Sequence, residues 1–513
     1  MAALTGLRRS WSSTAEYANA LRGATGRREP AHHHLRSWVS KGSSMNASYR
    51  VVAVAVAMGS AIGCGKVQVD TDAGIEVVDA LSSSCEPGAF LECSAEDTAE
   101  FCDEDGAEAV EQTCEFGCSA TRSGCRECVP GQVQCIDNDL VTCGDDGAIE
   151  DGTTCTLGCD GGSDGEPPRC LILQPTNLPD DLCETTATSN APIAADINTD
   201  AGCDAVVTQD DGPPICLLIR QDAVISDGDV RVTGERALAI VGTNSVTITG
   251  RLDGSAEGIA SGPGAPDGEG SGSVNTASAE GGGGAGYGTT GAAGATPDAP
   301  GGGEPGGDSY GNPALSPLRG GSVGGNHTNQ GLNGPPIHRG GGGGAIQIVS
   351  CGPMQMGDAA FVHVGGGGGL GGPGSDDQAS AGAGGGSGGA ILLEAASLTI
   401  SGTLAANGGG GGGGGCSIDG RDGEDAKPSA EAASGGGGCE SLPAPDHAGA
   451  GGAGGTLGSL PTIGDSSDHE EGAGGGGGGA VGRIRINVSP TFALDLSSAE
   501  ISPEPSEGEV ATR

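Results

Sequence analysis

The chain has 513 residues, 105 of them glycine and only 2% aromatic, and carries a formal net charge of −44. So few large apolar side chains exclude a conventional core along the whole length, and so much negative charge excludes nucleic acid and anionic lipid head groups as partners. The charge is uneven: eight of the 23 Lys/Arg but only two of the 67 Asp/Glu precede Cys64, so cations or cationic surfaces are the partners that the remainder suits.

Residues 1–44 are basic, with Arg8, Arg9, Arg22, Arg27, Arg28, Arg36 and Lys41, and read either as a leader or as sequence upstream of a start at Met45. Met45–Arg50 is a short positively charged segment and Val51–Gly63 an apolar run too short for a comfortable membrane span. The run ends in Ala61-Ile62-Gly63-Cys64, which resembles the lipobox of bacterial lipoproteins, although Ala61 and Ile62 replace the usual Leu and Ala or Ser. The resemblance implies that residues 45–63 are a signal peptide and that Cys64 is lipidated at its sulfur. It also implies a location at the outer membrane or cell surface, facing outside the cytoplasm. Several acyl chains on Cys64 would be enough for stable anchoring. Residues 64–84 read as a linker.

Twelve cysteines follow in two sets: Cys85, Cys93, Cys102, Cys114, Cys118 and Cys125, then Cys128, Cys135, Cys143, Cys155, Cys159 and Cys170. Their flanks also repeat, Cys85-Glu-Pro-Gly against Cys128-Val-Pro-Gly and Cys114-Glu-Phe-Gly-Cys118 against Cys155-Thr-Leu-Gly-Cys159. Two modules of about forty residues (85–125 and 128–170) cannot build adequate cores alone, so disulfides within each are expected, with the connectivity open. Zinc is the competing reading of such spacings. An exported chain with no histidine between His34 and His327 speaks against it. Of the 19 cysteines, lipid on Cys64 leaves an even number. The modules resemble small disulfide repeats of bacterial surface lipoproteins, a resemblance that implies no activity.

Residues 171–213 read as a transition. Asp196-Ile-Asn198-Thr-Asp200 starts like a calcium loop, but Ala201 stands where Gly is needed and Val207 where Glu is needed, so a solvated acidic turn is expected. The body, 214–497, contains one recurring pattern. In Ala390–Gly415, Leu398, Ile400 and Leu404 alternate with Thr399, Ser401 and Thr403 before a glycine run. Val246, Ile248 and Leu252 repeat it, as do Ile346, Ile348, Met354 and Met356. A fourth copy has Ile484, Ile486 and Val488, then Phe492, Leu494 and Leu496. Such units stack, because one alone cannot bury its apolar face. The glycine-rich insertions between them, 254–343, 365–389 and 408–479, allow two readings: flexible tethers, or extended polyglycine helices packed side by side. In composition they resemble the glycine-rich domains of some receptor ectodomains and the PGRS portions of PE-PGRS proteins. The final residues, 498–513, read as an acidic tail.

Motifs for chemistry are weak. Ser387 and Ser322 each sit in G-x-S-x-G without the following helix that a nucleophile elbow requires. Gly371–Asp376 approaches one calcium-binding nonapeptide without tandem copies. A polysaccharide-cleaving enzyme needs paired carboxylates, yet Glu394 stands alone in its strands. His327, His338, His363, His447 and His469 have no partner at ligand spacing. The expectation is a mainly β protein with a stacked, parallel β-helix-like body and polyglycine-rich insertions, preceded by two small disulfide-rich modules. Its expected role is that of a non-catalytic, lipid-anchored cell-surface protein, structural or adhesive. The alternatives are a calcium-dependent or carbohydrate-binding surface module, and a β-helix carbohydrate-active enzyme. No catalytic residue, cofactor or metal ligand is assigned. The expected partners are the membrane through the anchor, and cell-wall or extracellular polysaccharide, cations or another surface protein.

Overall fold

Each module is a small antiparallel sheet closed by disulfides. A computed structural model describes residues 85–513 except 163–165, 188, 227, 266–268, 274–278, 327–338, 375–378, 442–445, 468–471 and 493. The chain divides into two units, Met1–Ala80 and Leu81–Arg513, and every described residue belongs to the second. Cys64 and the stretches expected to be a signal peptide and a leader lie outside the described residues. In the first module β1 (Phe90–Ala95), β2 (Thr98–Cys102) and β3 (Ala109–Thr113) form one sheet, and β4 (Cys118–Ser119) pairs with β5 (Gly124–Cys125). In the second, β6 (Val133–Ile136), β7 (Asp139–Cys143) and β8 (Ile149–Thr154) repeat the sheet, and β9 (Cys159–Asp160) pairs with β10 (Arg169–Cys170). The pairing is the same in both: first with third (Cys85–Cys102, Cys128–Cys143), second with fifth (Cys93–Cys118, Cys135–Cys159), fourth with sixth (Cys114–Cys125, Cys155–Cys170). The fully buried apolar cluster of the first module is only Ala99, Cys114 and Cys118, so the cross-links do what burial cannot.

The connecting stretch supplies β11 (Leu173–Gln174), a 3₁₀ turn at Leu182–Glu184, β12 (Ile197–Asn198) and β13 (Ala205–Val207). The body then alternates long and short strands: β14 (Ile215–Ile225) with β15 (Asp229–Thr233), β16 (Ala237–Ile248) with β17 (Arg251–Asp253), β18 (Ala345–Met356) with β19 (Phe361–His363), and β20 (Ala390–Ile400) with β21 (Thr403–Ala405). After a two-stranded ribbon of β22 (Glu440–Ser441) and β23 (Asp446–His447) come β24 (Arg483–Val488), β25 (Glu500–Ser502), β26 (Ser506–Glu509) and β27 (Ala511–Thr512). The long strands build a seven-stranded sheet, β13-β14-β16-β18-β20-β24-β26, and the short ones a six-stranded sheet, β12-β15-β17-β19-β21-β25. The second is parallel throughout, and the first is parallel from β14 onward.

Register stacks like on like. Leu218, Ile240, Ile348, Leu393 and Ile486 form one row of the first sheet, and Val230, Leu252, Val362, Leu404 and Ile501 one row of the second. Both rows belong to a single apolar cluster. The first halves of β16, β18 and β20, such as Ala390–Ala395, are buried on both faces and mostly apolar, with Gln347 and Glu394 as polar exceptions. The second halves alternate. The outer face of those first halves is covered by Leu173, Leu178, Leu182, Tyr287, Leu315 and Leu318.

Two expectations are corrected. In the last repeat Phe492 is 41% exposed, whereas Leu494 and Leu496 pack, half-buried, against the core as the pattern predicts, and Asp495 makes an isolated bridge to Thr399. The strand that completes the second sheet is β25 instead. The acidic stretch 498–513 is no tail: it supplies β25, β26 and β27, whose backbones pair with β21, β24 and β11.

The described glycine runs of the insertions form packed, extended helices. Gly382, Gly385 and Gly388 donate to the carbonyls of Gly474, Gly477 and Ala480; Ala383, Gly386 and Gly389 to Leu370, Gly367 and Val364; Gly384, Ser387 and Ala390 to Gly325, Ser322 and Gly344, at 2.7–3.0 Å. Three residues per turn thus serve three neighbouring chains, the geometry of polyproline II with N–H groups still in place. The approach is so close that a Cβ built at Gly382 would lie 1.9 Å from the Gly412 oxygen, so each α-hydrogen faces a carbonyl. Tyr287 and Tyr310, with ring centroids 4.6 Å apart, and Arg483, which donates to both of their carbonyls, join the bundle to the sheet.

Candidate functional site

All eighteen described cysteines are disulfide-bonded, the body adding Cys183–Cys351, Cys203–Cys216 and Cys416–Cys439, so none of them offers a thiolate. Ser322 and Ser387 are buried in the glycine bundle and bonded to each other, Ser322 N–H to Ser387 Oγ at 2.8 Å. Among the described residues no helix follows either serine. The acidic turn is occupied by its own fold: Asp196 accepts the Arg231 N–H and Asp200 the Glu235 N–H. Asp376, like His327, His338 and His469, lies outside the described residues.

Two carboxylate clusters have catalytic residue types: the one at Glu394 is buried, and the one at Asp253 is partly open, its carboxylate 30% exposed. Asp253 bridges Arg231 (2.9 Å) and His363 Nδ1 (3.4 Å), and its Oδ1 accepts the Ser255 N–H. Burial opposes ionisation of Asp253, but hydrogen bonds from His363 and Ser255 and the imidazole charge outweigh it and hold the carboxyl below its usual range. The Ser255 hydroxyl accepts from Arg231, not from the imidazole. His363 Nε2 has no partner, and a Cβ on Gly365 would come within 2.5 Å of it, so no substrate fits there. Glu394 is 1% exposed. It accepts from Thr176 N–H and Oγ1, Gln347 Nε2 and Asn487 Nδ2. Burial raises its proton affinity, partly offset by those donors. Both clusters tie strands together.

The accessible chemistry lies on the outer flank of the glycine bundle. Thr456 and Ser459 close a tight turn, from which Leu457, Leu460 and Ile463 stand 46%, 71% and 47% exposed at intervals of three residues. Leu457 sits in the turn itself, and Leu460 and Ile463 follow it on the extended segment, one three-residue repeat apart. Ile463 lies against Gly301, and the neighbouring Pro300 lines an open cleft of about 500 Å³ shared with Glu440, His447, Asp465 and Ser466. The flank is therefore an apolar stripe running to an acidic cleft. Among the described residues no group of three His, Cys, Asp or Glu could hold a metal ion, and no helix is long and apolar enough to cross a membrane.

Sequence reasoning missed this stripe because it sought periods of two and 3.6. The available signal was the three-residue interval of Leu460 and Ile463, just after a turn and beside glycine runs. No family model matches the chain, and no curated protein or solved structure matches it either.

Proposed function

We propose that this is a non-catalytic, lipid-anchored protein of the cell surface, with Cys64 as its anchor, and that it adheres through the outer flank of its glycine bundle. The disulfide modules form the stalk. The body is a parallel β-helix in which each long and short strand pair is one rung, a reading supported by the five-residue rows in both sheets. One observation carries the function: Glu394 and His363 are buried, whereas Leu457, Leu460 and Ile463 are exposed beside a turn and an extended segment tied to its neighbours by backbone hydrogen bonds. The partner that suits such a stripe is an apolar patch on another surface protein, because the stripe is aliphatic and neither it nor the cleft presents a Trp, Tyr or Phe ring on which a sugar could stack.

The test is adhesion of cells displaying the protein, before and after Leu457, Leu460 and Ile463 are all replaced by Ser. Adhesion should fall at least tenfold while surface abundance and melting temperature stay unchanged. Undiminished adhesion of the triple variant overturns the reading of the flank. Retention of the Cys64→Ser protein in the membrane fraction overturns that of the anchor.

A further inference from the structure

Between the second module and the body, residues 171–185 lie as a strap across the seven-stranded sheet. Leu173, Leu178 and Leu182 are buried in the cluster that covers its outer face. Ile172 and Arg513 exchange backbone hydrogen bonds of 3.1 Å, and β11 pairs antiparallel with β27. Thr176 spends its N–H and hydroxyl on Glu394 of β20, while its carbonyl accepts from Gln347 of β18 at 2.6 Å. Asn177 donates to the Leu315 carbonyl at 2.9 Å. The strap then ends in the covalent bond from Cys183 to Cys351 on β18, a strand with sheet neighbours on both sides.

Ordinary fold stability does not need this staple where it is. The strap already has a buried apolar side, a paired strand and a satisfied carboxylate. The bond sits at the strap's C-terminal end, just before the edge strands β12 and β13, where a pull from the modules would otherwise begin to peel the sheets. The modules have a similar arrangement. Joining first to third and fourth to sixth cysteine shortens the load path through each module to Cys102–Cys114 or Cys143–Cys155, each with the second-to-fifth bond in parallel, and leaves Cys125–Cys128 as the link between modules.

We infer that the strap is a tension clamp: force arriving through the modules enters the body at β18 through Cys183–Cys351, bypassing the edge strands. This rests on the adhesive reading for the source of the load, but the device is testable without it. With the bond intact, the strap can release only the chain from Cys170 to Cys183, at most about 45 Å at ~3.5 Å per extended residue. Without it, release continues to the next staple at Cys203, a further length of about 70 Å on the same scale.

The full chain would be stretched in an optical trap between a tag inserted before Cys85 and a second tag in the turn at Gly458. The oxidised protein should stop after the short strap release, and the C183S/C351S protein should show the additional release of about 70 Å at the same loading rate. Thr176→Val keeps every disulfide and should lower the force of the strap step without changing its length. That variant carries the test if the double variant fails to fold. Identical release lengths in wild type and double variant, or an unchanged strap force in Thr176→Val, overturn the clamp. Neither result depends on what the flank binds, so failure here is distinct from failure of the adhesion assay.

Discussion

Glycine in this bundle is the packing residue. Gly411 illustrates the constraint: its backbone angles are open to other residues, but a Cβ there would lie 2.2 Å from the Gly476 oxygen. At Gly437 the nearest atom to a built Cβ is a side-chain carbon of Arg421 at 3.7 Å. Gly411→Ala should therefore destabilise by about 1–3 kcal/mol, as overpacking does. Gly437→Ala should be neutral or slightly stabilising through the unfolded chain. Paired thermal melts decide it, and equal shifts for the two would mean that backbone contact is not what excludes side chains.

Glu394 makes a second prediction at this scale. Its folded-state proton affinity is raised above the ordinary 4.5 by burial, so the folded protein holds a proton that the unfolded chain has released. Its contribution to stability is fully present below that value and is lost as the pH rises through the raised one. Glu394→Gln should flatten the decline in unfolding free energy between pH 4.5 and neutrality. Asp253, whose proton affinity is lowered, loses its contribution only as the pH falls below 3.8, outside that window. An unchanged slope in the Gln variant would remove Glu394 as the cause. Truncation to Ala should cost on the order of 3 kcal/mol, because it leaves the Thr176, Gln347 and Asn487 donors buried without an acceptor.

Among the elements, strands and modules were legible and the glycine helices only as one of two open readings, for a physical reason. Alternation of Leu398, Ile400 and Leu404 with Thr and Ser reports which face is buried, and repeated cysteine spacings report a repeated fold. A glycine run has no side chains with which to report a face. The three-residue period shows only where side chains return, as in Asp419, Asp422 and Asp425. These accept the N–H groups of Gly374, Gly371 and Gly368 on the antiparallel neighbour, at 2.6, 2.8 and 2.7 Å. Carboxylates thus satisfy donors that another glycine helix would otherwise take. The carboxylate clusters were illegible because they join residues distant in sequence: Thr176 and Glu394 are 218 positions apart. Replacing all three aspartates with alanine should leave the fold intact and accelerate amide exchange at 368, 371 and 374. Each lost bond corresponds to roughly 1 kcal/mol. Exchange that stays as slow as in the wild type would show that the carboxylates are incidental.

For the whole molecule, the question is what replaces a conventional core. Apolar burial is concentrated in the rows between the sheets and under the strap, while the insertions bury mostly peptide groups. Each ordered glycine costs about 1–2 kcal/mol of backbone entropy, which side-chain burial in the strands cannot offset across the insertions. Backbone hydrogen bonding and close contact must hold the bundle. That balance has a calorimetric signature: apolar exposure raises the heat capacity of unfolding and polar exposure lowers it, giving about 12–15 cal/mol/K per residue in ordinary domains. Here the bundle contributes mainly polar exposure, so the per-residue value should fall clearly below that range and the stability curve should be unusually flat. Scanning calorimetry of the oxidised protein would measure it, with amide exchange at Gly408–Gly415 and Gly474–Gly479 as the local check. A heat-capacity change in the ordinary range, or random-coil exchange along those runs, would mean that the glycine helices do not melt as part of the cooperative fold. The strands would then be its only stable part.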